Sequence, residues 1–336
     1  MKKQVRRCEL IYLLFAIIIY TSSDSQTKRL RRNDLDVRIK ISVSGSPDTS
    51  IQYLYIFSNS AKSHQSMAKA IIDLQDDYKD NGGTIKNIRA PKEKDWGDFP
   101  DVGNKMRWIE QYDTTGKDIL ERPPRSSVAP GEQISFSFEC LGLPSFGHFW
   151  AAGWAPWYFT QDVEDSLLRG GYPEYDLHPT DSLYFTGLTV VPRLPFANFD
   201  ASLWLDTLLS YTHQSVDLGW LGKNRDDDCE NDENPQDGIE KNIERRLMMA
   251  QRDLQHSDSV KARRDIQMLV DKIDRIWKRG QIEEKKHEHD RGDWWQHRKD
   301  WVIMTSEAYA LLKYNTEYLI DRLPERERRG GREEKK

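Results

Sequence analysis

The apolar rhythm of this chain changes once, near Pro192, and that change limits its possible folds more than any other feature. Before it, apolar residues recur at every second position. Val37, Ile39, Ile41 and Val43 alternate with Arg38, Lys40 and Ser42, which places the apolar set on one face of a strand. Ile51 to Phe57 is a β-branched and aromatic run. After the Pro130-Gly131 turn, Ile134, Phe136 and Phe138 alternate with Gln133, Ser135, Ser137 and Glu139. Met67–Leu74, Thr84–Ile88, Lys105–Tyr112, Phe146–Trp154 and Ser182–Val191 extend the set. Gly45-Ser46-Pro47, Asn81-Gly82-Gly83, Pro123-Pro124 and Gly170-Gly171 punctuate it. Short strands separated by turns predict an antiparallel β-sandwich over residues 34–192.

Beyond the proline the spacing becomes helical. Trp204, Leu205, Leu208, Leu209 and Thr212 form one stripe; Ile239, Ile243, Leu247, Ala250 and Leu254 form a second. A third stripe runs Ala262, Ile266, Leu269, Ile273 and Ile276, with Ser257-Asp258-Ser259 available to cap it. The last helix carries Ala308, Leu311, Leu312, Asn315, Leu319 and Leu323. Thr305 can cap it, Glu307 suits its positive end, and Pro324 follows it. Helices this short need partners for their apolar faces, so residues 198–324 predict a small all-α bundle with a core of its own. Two polar insertions, 223–238 and 278–299, interrupt it, and the charged tail 325–336 cannot form a core.

The front of the chain reads as an address. Lys2, Lys3, Arg6 and Arg7 precede the apolar run Leu10 to Tyr20, and small polar residues follow. That is the layout of a secretory signal peptide over residues 1–25, with cleavage after Ser23 or Ser25; retention as a signal anchor is the alternative. Residues 26–33 are a basic, polar lead. Of three cysteines, Cys8 would leave with the signal, and an oxidising compartment would permit a Cys140–Cys229 bridge without requiring one. Cys140 sits in an alternating strand and is expected outward or at a sheet edge. A net charge of −5 over 336 residues argues against a dedicated nucleic-acid binder. Hydrophobic residues make up 37%, too few for a polytopic membrane protein.

Five groups of residues are candidates for function. Asp226, Asp227, Asp228, Glu230, Asp232, Glu233 and Asp237 make an acidic loop that could supply oxygens to calcium. It lacks the glycine and closing glutamate of an EF-hand, and a solvated acidic insertion is the plainer expectation. His287, Glu288, His289, Asp290 and His297 resemble a metal cluster, but the second histidine comes too early for His-Glu-x-x-His, and the Lys- and Arg-rich flanks suggest an exposed charged helix. Phe146, His148, Trp150 and Trp154 share one face of a strand, which predicts sandwich core; stacking on sugar rings is the alternative, with Trp154, Trp157 and Tyr158 as its residues. Trp294, Trp295 and Trp301 could cap the bundle or mark a partner surface. Lys28, Arg29, Arg31 and Arg32 could touch an anionic envelope surface or simply belong to a solvated lead. No nucleophile elbow, P-loop or dinucleotide fingerprint is present.

Several stretches resemble a group of uncharacterised exported bacterial proteins. These are PGEQISFSFECLGLPSFGHFWAAGW (Pro130 to Trp154), IQYLYIFSNSAKSHQSMAKAIIDL from Ile51, and MTSEAYALLKYNTEYLIDRLP (Met304 to Pro324). With Ile239 to Ile276, the last part is similar to FIMAH-type helical domains. The chain departs from them at Arg246 to Ala250, which keeps only the apolar spacing, and at Gln267-Met268-Leu269-Val270, where Ala-Phe-Ile is usual. The resemblance implies an exported, non-catalytic accessory protein and brings no catalytic residue with it. The functional expectation is therefore a non-enzymatic binding or structural module of the cell envelope or extracellular space, with an unidentified partner there and no transmembrane domain in the mature chain. The alternatives are a hydrolase of envelope glycans with unmarked carboxylates and a calcium-stabilised surface adhesion protein.

Overall fold

A computed structural model describes residues 35–74, 83–91, 96–100, 105–110, 126–153, 184–195, 197–222, 238–288 and 303–325. Among them, nine strands precede four helices, as the change of rhythm predicts. The strands are β1 (Val37–Ser46), β2 (Ser50–Asn59), β3 (Met67–Asp73), β4 (Ile85–Arg89), β5 (Trp96–Pro100), β6 (Lys105–Glu110), β7 (Gln133–Cys140), β8 (Leu143–Gly153) and β9 (Phe185–Arg193). The helices are α1 (Ala201–Asp217), α2 (Ile239–Gln255), α3 (Ser259–Glu288) and α4 (Ser306–Arg322). No helix among the described residues is long and apolar enough to cross a membrane.

Two antiparallel sheets form a β-sandwich. One has the order β1-β2-β7-β4, the other β5-β6-β3-β8-β9. Strict alternation on β2 turns Ile51, Tyr53, Tyr55 and Phe57 inward, opposite Cys140, Phe138, Phe136 and Ile134 of β7. Cys140 is thus buried on the inner face and not turned outward: its parity is that of the phenylalanines. Cys229 lies outside the described residues. The inner layer is aromatic. Trp108 stacks on Phe136 at 4.7 Å, and Phe57 meets Phe149 edge-on at 5.8 Å, joining the two sheets. Buried tyrosines need partners for their hydroxyls, and here the bond made by Tyr55 also bridges the sheets. Tyr53 donates to the Gly142 carbonyl at 2.7 Å and Tyr55 to that of Val190 at 3.0 Å. The β1–β2 hairpin turns beside Gly45, whose φ of +112° belongs to the glycine-favoured region.

The caps read from the sequence for the last two helices form. Thr305 caps α4 through the Ala308 amide, and Asp258 accepts the Lys261 amide at the start of α3. Asp200, not expected as a cap, accepts from Ser202 and Leu203 at the start of α1. The expected insertion at 278–299 is corrected for its first part, because α3 runs unbroken to Glu288. Lys, Arg, Glu and Gln are good helix formers, so polarity alone does not end a helix. β5 lacked a sequence signal, since Gly97 and Pro100 both argue against a strand.

Separate cores on the two sides of Pro192 do not form. Buried apolar residues from Leu35 to Leu323 make one connected cluster. The cause is α4, which buries residues on more than one side: Leu311 and Leu319 of the expected stripe, and also Ala310, Tyr314 and Tyr318. Its second face lies against β1, β8 and β9. Tyr314 donates to the carbonyl of Val43 on the edge strand β1 at 2.6 Å. Asn315 Nδ2 donates to the Pro144 carbonyl at 2.8 Å, and its own backbone carbonyl accepts from Trp204 Nε1 at 2.9 Å. Next to them, Tyr211 of α1 donates to Ser145 Oγ at 3.0 Å, and Phe146 stacks on Trp220 at 5.2 Å. The α3 guanidinium of Arg263 donates to the carbonyls of Ile320 and Leu323, closing the C-terminal end of α4.

Candidate functional site on the outer face of the five-stranded sheet

Strand β8 carries aromatic residues on both faces, and the structure reverses their expected assignment. Phe149 and Ala151 point into the sandwich, while Phe146, His148 and Trp150 take the outer face. The inner face of β8 is built largely from Gly147, Phe149 and Ala151 because the opposing sheet already supplies large rings. Phe146 is then covered by Tyr211 and Trp220, whereas His148, Thr186 and Leu188 of the outer face are exposed.

Register lines up a row across four strands. Arg107 on β6 lies opposite Ile71 on β3, Ile71 opposite Trp150 on β8, and Trp150 opposite Thr186 on β9. In neighbouring rows, His148 pairs with Leu188 and Lys69 with Ala152. His148 stacks on Trp150 with ring centres 6.0 Å apart. Lys105 places its ammonium 5.6 Å from the Trp150 ring centre, and Lys69 sits 5.9 Å from that of Tyr184. Arg107 and Tyr184 are enclosed, Trp150 is half-buried, and His148, Thr186 and Leu188 are exposed. The accessible part is an indole held in place beside an imidazole and an ammonium. Such a surface can take the flat C–H face of a sugar ring.

Two other groups lie in the helical part. Asp253 and Asp265 are both buried, and Lys261 donates to Asp253 Oδ1 at 2.7 Å. The lysine's hydrogen bond holds the Asp253 carboxyl low, while burial, reinforced by Asp253, pushes Asp265 up. Between α1 and α2, His213, Glu240 and Glu244 turn their donor atoms to within 4.8 Å of one another.

Trp154, Trp157 and Tyr158 lie outside the described residues, as does the acidic loop with Asp226, Asp227, Asp228, Glu230, Asp232, Glu233 and Asp237. The same holds for His289, Asp290, His297, Trp294, Trp295, Trp301, the lead with Lys28, Arg29, Arg31 and Arg32, residues 1–25 and the tail from 326. His287 and Glu288 close α3. Sequence reasoning missed these cations because Lys105 comes from β6 and meets the Trp150 ring, as Lys69 of β3 meets Tyr184, only through sheet register. It missed the His213 group because α1 and α2 are joined through the long segment before Gly238.

No family model matches the chain, and no curated protein matches it. Fold and site alone define its class: an antiparallel sandwich sealed to a helical layer, with an aromatic and cationic outer sheet face.

Proposed function

We propose that the protein is an exported, non-catalytic binding module of the cell envelope or extracellular space, and that it holds its ligand on the outer face around Trp150. The ligand class is a sugar-containing envelope polymer. The observation that carries this is the half-buried Trp150 ring, flanked by His148 at 6.0 Å and Lys105 at 5.6 Å on a sheet whose inner face is already filled. Export rests on the basic, apolar and small-polar order of residues 1–25 and on the resemblance described above. A glycan hydrolase would hold two carboxyls about 5–10 Å apart across an open cleft. Of two carboxyl pairs among the described residues, Asp253 and Asp265 are enclosed and engaged by Lys261, and Glu240 and Glu244 lie within 4.8 Å of one another on a single helix.

The mature protein is to be screened against glycans and envelope fractions beside Trp150→Ala and Trp157→Ala variants, with nucleic acid as a comparison. Loss of binding of about tenfold or more in Trp150→Ala, with an unchanged circular dichroism spectrum, is the expected result. Equal binding by wild type and Trp150→Ala would remove the site. A reproducible hydrolytic activity abolished by replacing one polar residue would remove the non-catalytic assignment.

A further inference from the structure

We infer that His213, Glu240 and Glu244 form a site for a divalent transition-metal ion of the zinc class, stapling α1 to α2. Glu240 and Glu244 stand one helical turn apart on the same face of α2. Two carboxylates at that spacing repel each other, yet both are turned toward one imidazole on the neighbouring helix. His213 Nε2 lies 2.5 Å from Glu244 Oε1, and the donor atoms of all three residues fall within 4.8 Å of one another.

Tetrahedral zinc with bonds of about 2.0–2.1 Å sets its ligand atoms roughly 3.3 Å apart. Small rotamer changes reach that spacing from the geometry present, with the ion replacing the hydrogen bond between His213 and Glu244. Three protein ligands leave a fourth position for water. An imidazole nitrogen beside two carboxylates selects zinc over calcium, which prefers six to eight oxygens. His213 is exposed and both glutamates are partly exposed, so an ion can enter without unfolding. The inference is independent of the ligand face on the sheet: Gln251 of α2 bonds Asp206 of α1 along the same helical interface.

Zinc content after dialysis and thermal melting of the full mature chain provide the test, with zinc and calcium chloride as the probes. One zinc per chain is expected, with a melting point several degrees higher once zinc is about 100-fold above its dissociation constant. His213→Ala, and separately Glu240→Gln with Glu244→Gln, should weaken uptake by about 100-fold and abolish the shift. An Asp226→Asn, Asp228→Asn chain and a His287→Ala, His289→Ala chain should keep both. Calcium at equal concentration should give no shift that depends on His213. Absence of zinc uptake by the wild-type chain, undiminished uptake by His213→Ala, or loss of uptake in the His287, His289 variant would each overturn the assignment.

Discussion

Asn315 is the residue through which the helical layer is latched to the sandwich, and replacing it tests the shared core. Its Nδ2 donates to the Pro144 carbonyl at 2.8 Å and to that of Leu311 at 2.8 Å, and the residue is 1% exposed. Pro144 lies opposite Pro192, so the neighbouring strand offers no N–H at that place. The pairing of β8 with β3 extends from Phe149 onward and does not reach Pro144. In Asn315→Ala the Pro144 carbonyl is therefore left buried without a donor, at about 1–3 kcal/mol. The Leu311 carbonyl loses less, because it stays within the backbone bonding of α4. Removing the amide also leaves a small void worth roughly 1 kcal/mol. The sum is a destabilisation of about 2–4 kcal/mol. Asn315→Asp separates hydrogen bonding from packing, since it keeps the shape but replaces the donor by a buried charge. It should cost more than Asn315→Ala at neutral pH and recover in acid, where the protonated carboxyl can donate to Pro144. Urea unfolding followed by tryptophan fluorescence and far-ultraviolet circular dichroism reads both. Because the apolar cluster is continuous, the two probes should share one midpoint. The latch is refuted if Asn315→Ala costs under about 1 kcal/mol, or if Asn315→Asp is no worse than Asn315→Ala at neutral pH. Two separate transitions, with only the helical one moved, would refute the shared core.

Two neighbouring carboxyls should respond to pH with opposite sign. Asp265 is raised by burial and by Asp253, so its contribution to stability is complete below the ordinary carboxyl range and lost as pH rises through its raised value. Asp253 is lowered, first by the hydrogen bond from Lys261, so its contribution is present above the ordinary range and lost as pH falls. Asp265→Asn should therefore raise the urea midpoint at about pH 8 and lose that advantage in acid, whereas Asp253→Asn should lower it at about pH 8 and converge with wild type in acid. Gly45→Ala should destabilise by about 1–3 kcal/mol, measured by thermal melting. Its Cβ would lie 2.2 Å from the backbone oxygen of Ser50, at a φ of +112°.

What the residues determine alone are the local periods and the ends of elements. Alternation on β2 and β7, the Thr305 and Asp258 caps and the apolar stripe of α4 follow from backbone geometry, which acts over a few residues and leaves its mark in spacing. Even the latch was partly visible, since Asn315 stands as the one amide in the stripe of α4, but nothing nearby in sequence names Pro144 as its acceptor. Tertiary structure decided which parity of β8 faces inward, because both parities carry rings and only the filled opposing sheet discriminates between them. It also decided that Lys105 meets Trp150 and that His213 meets Glu244. Those encounters depend on sheet register and on the crossing of two helices, which are settled by the joint burial of distant residues and so leave no local pattern to read.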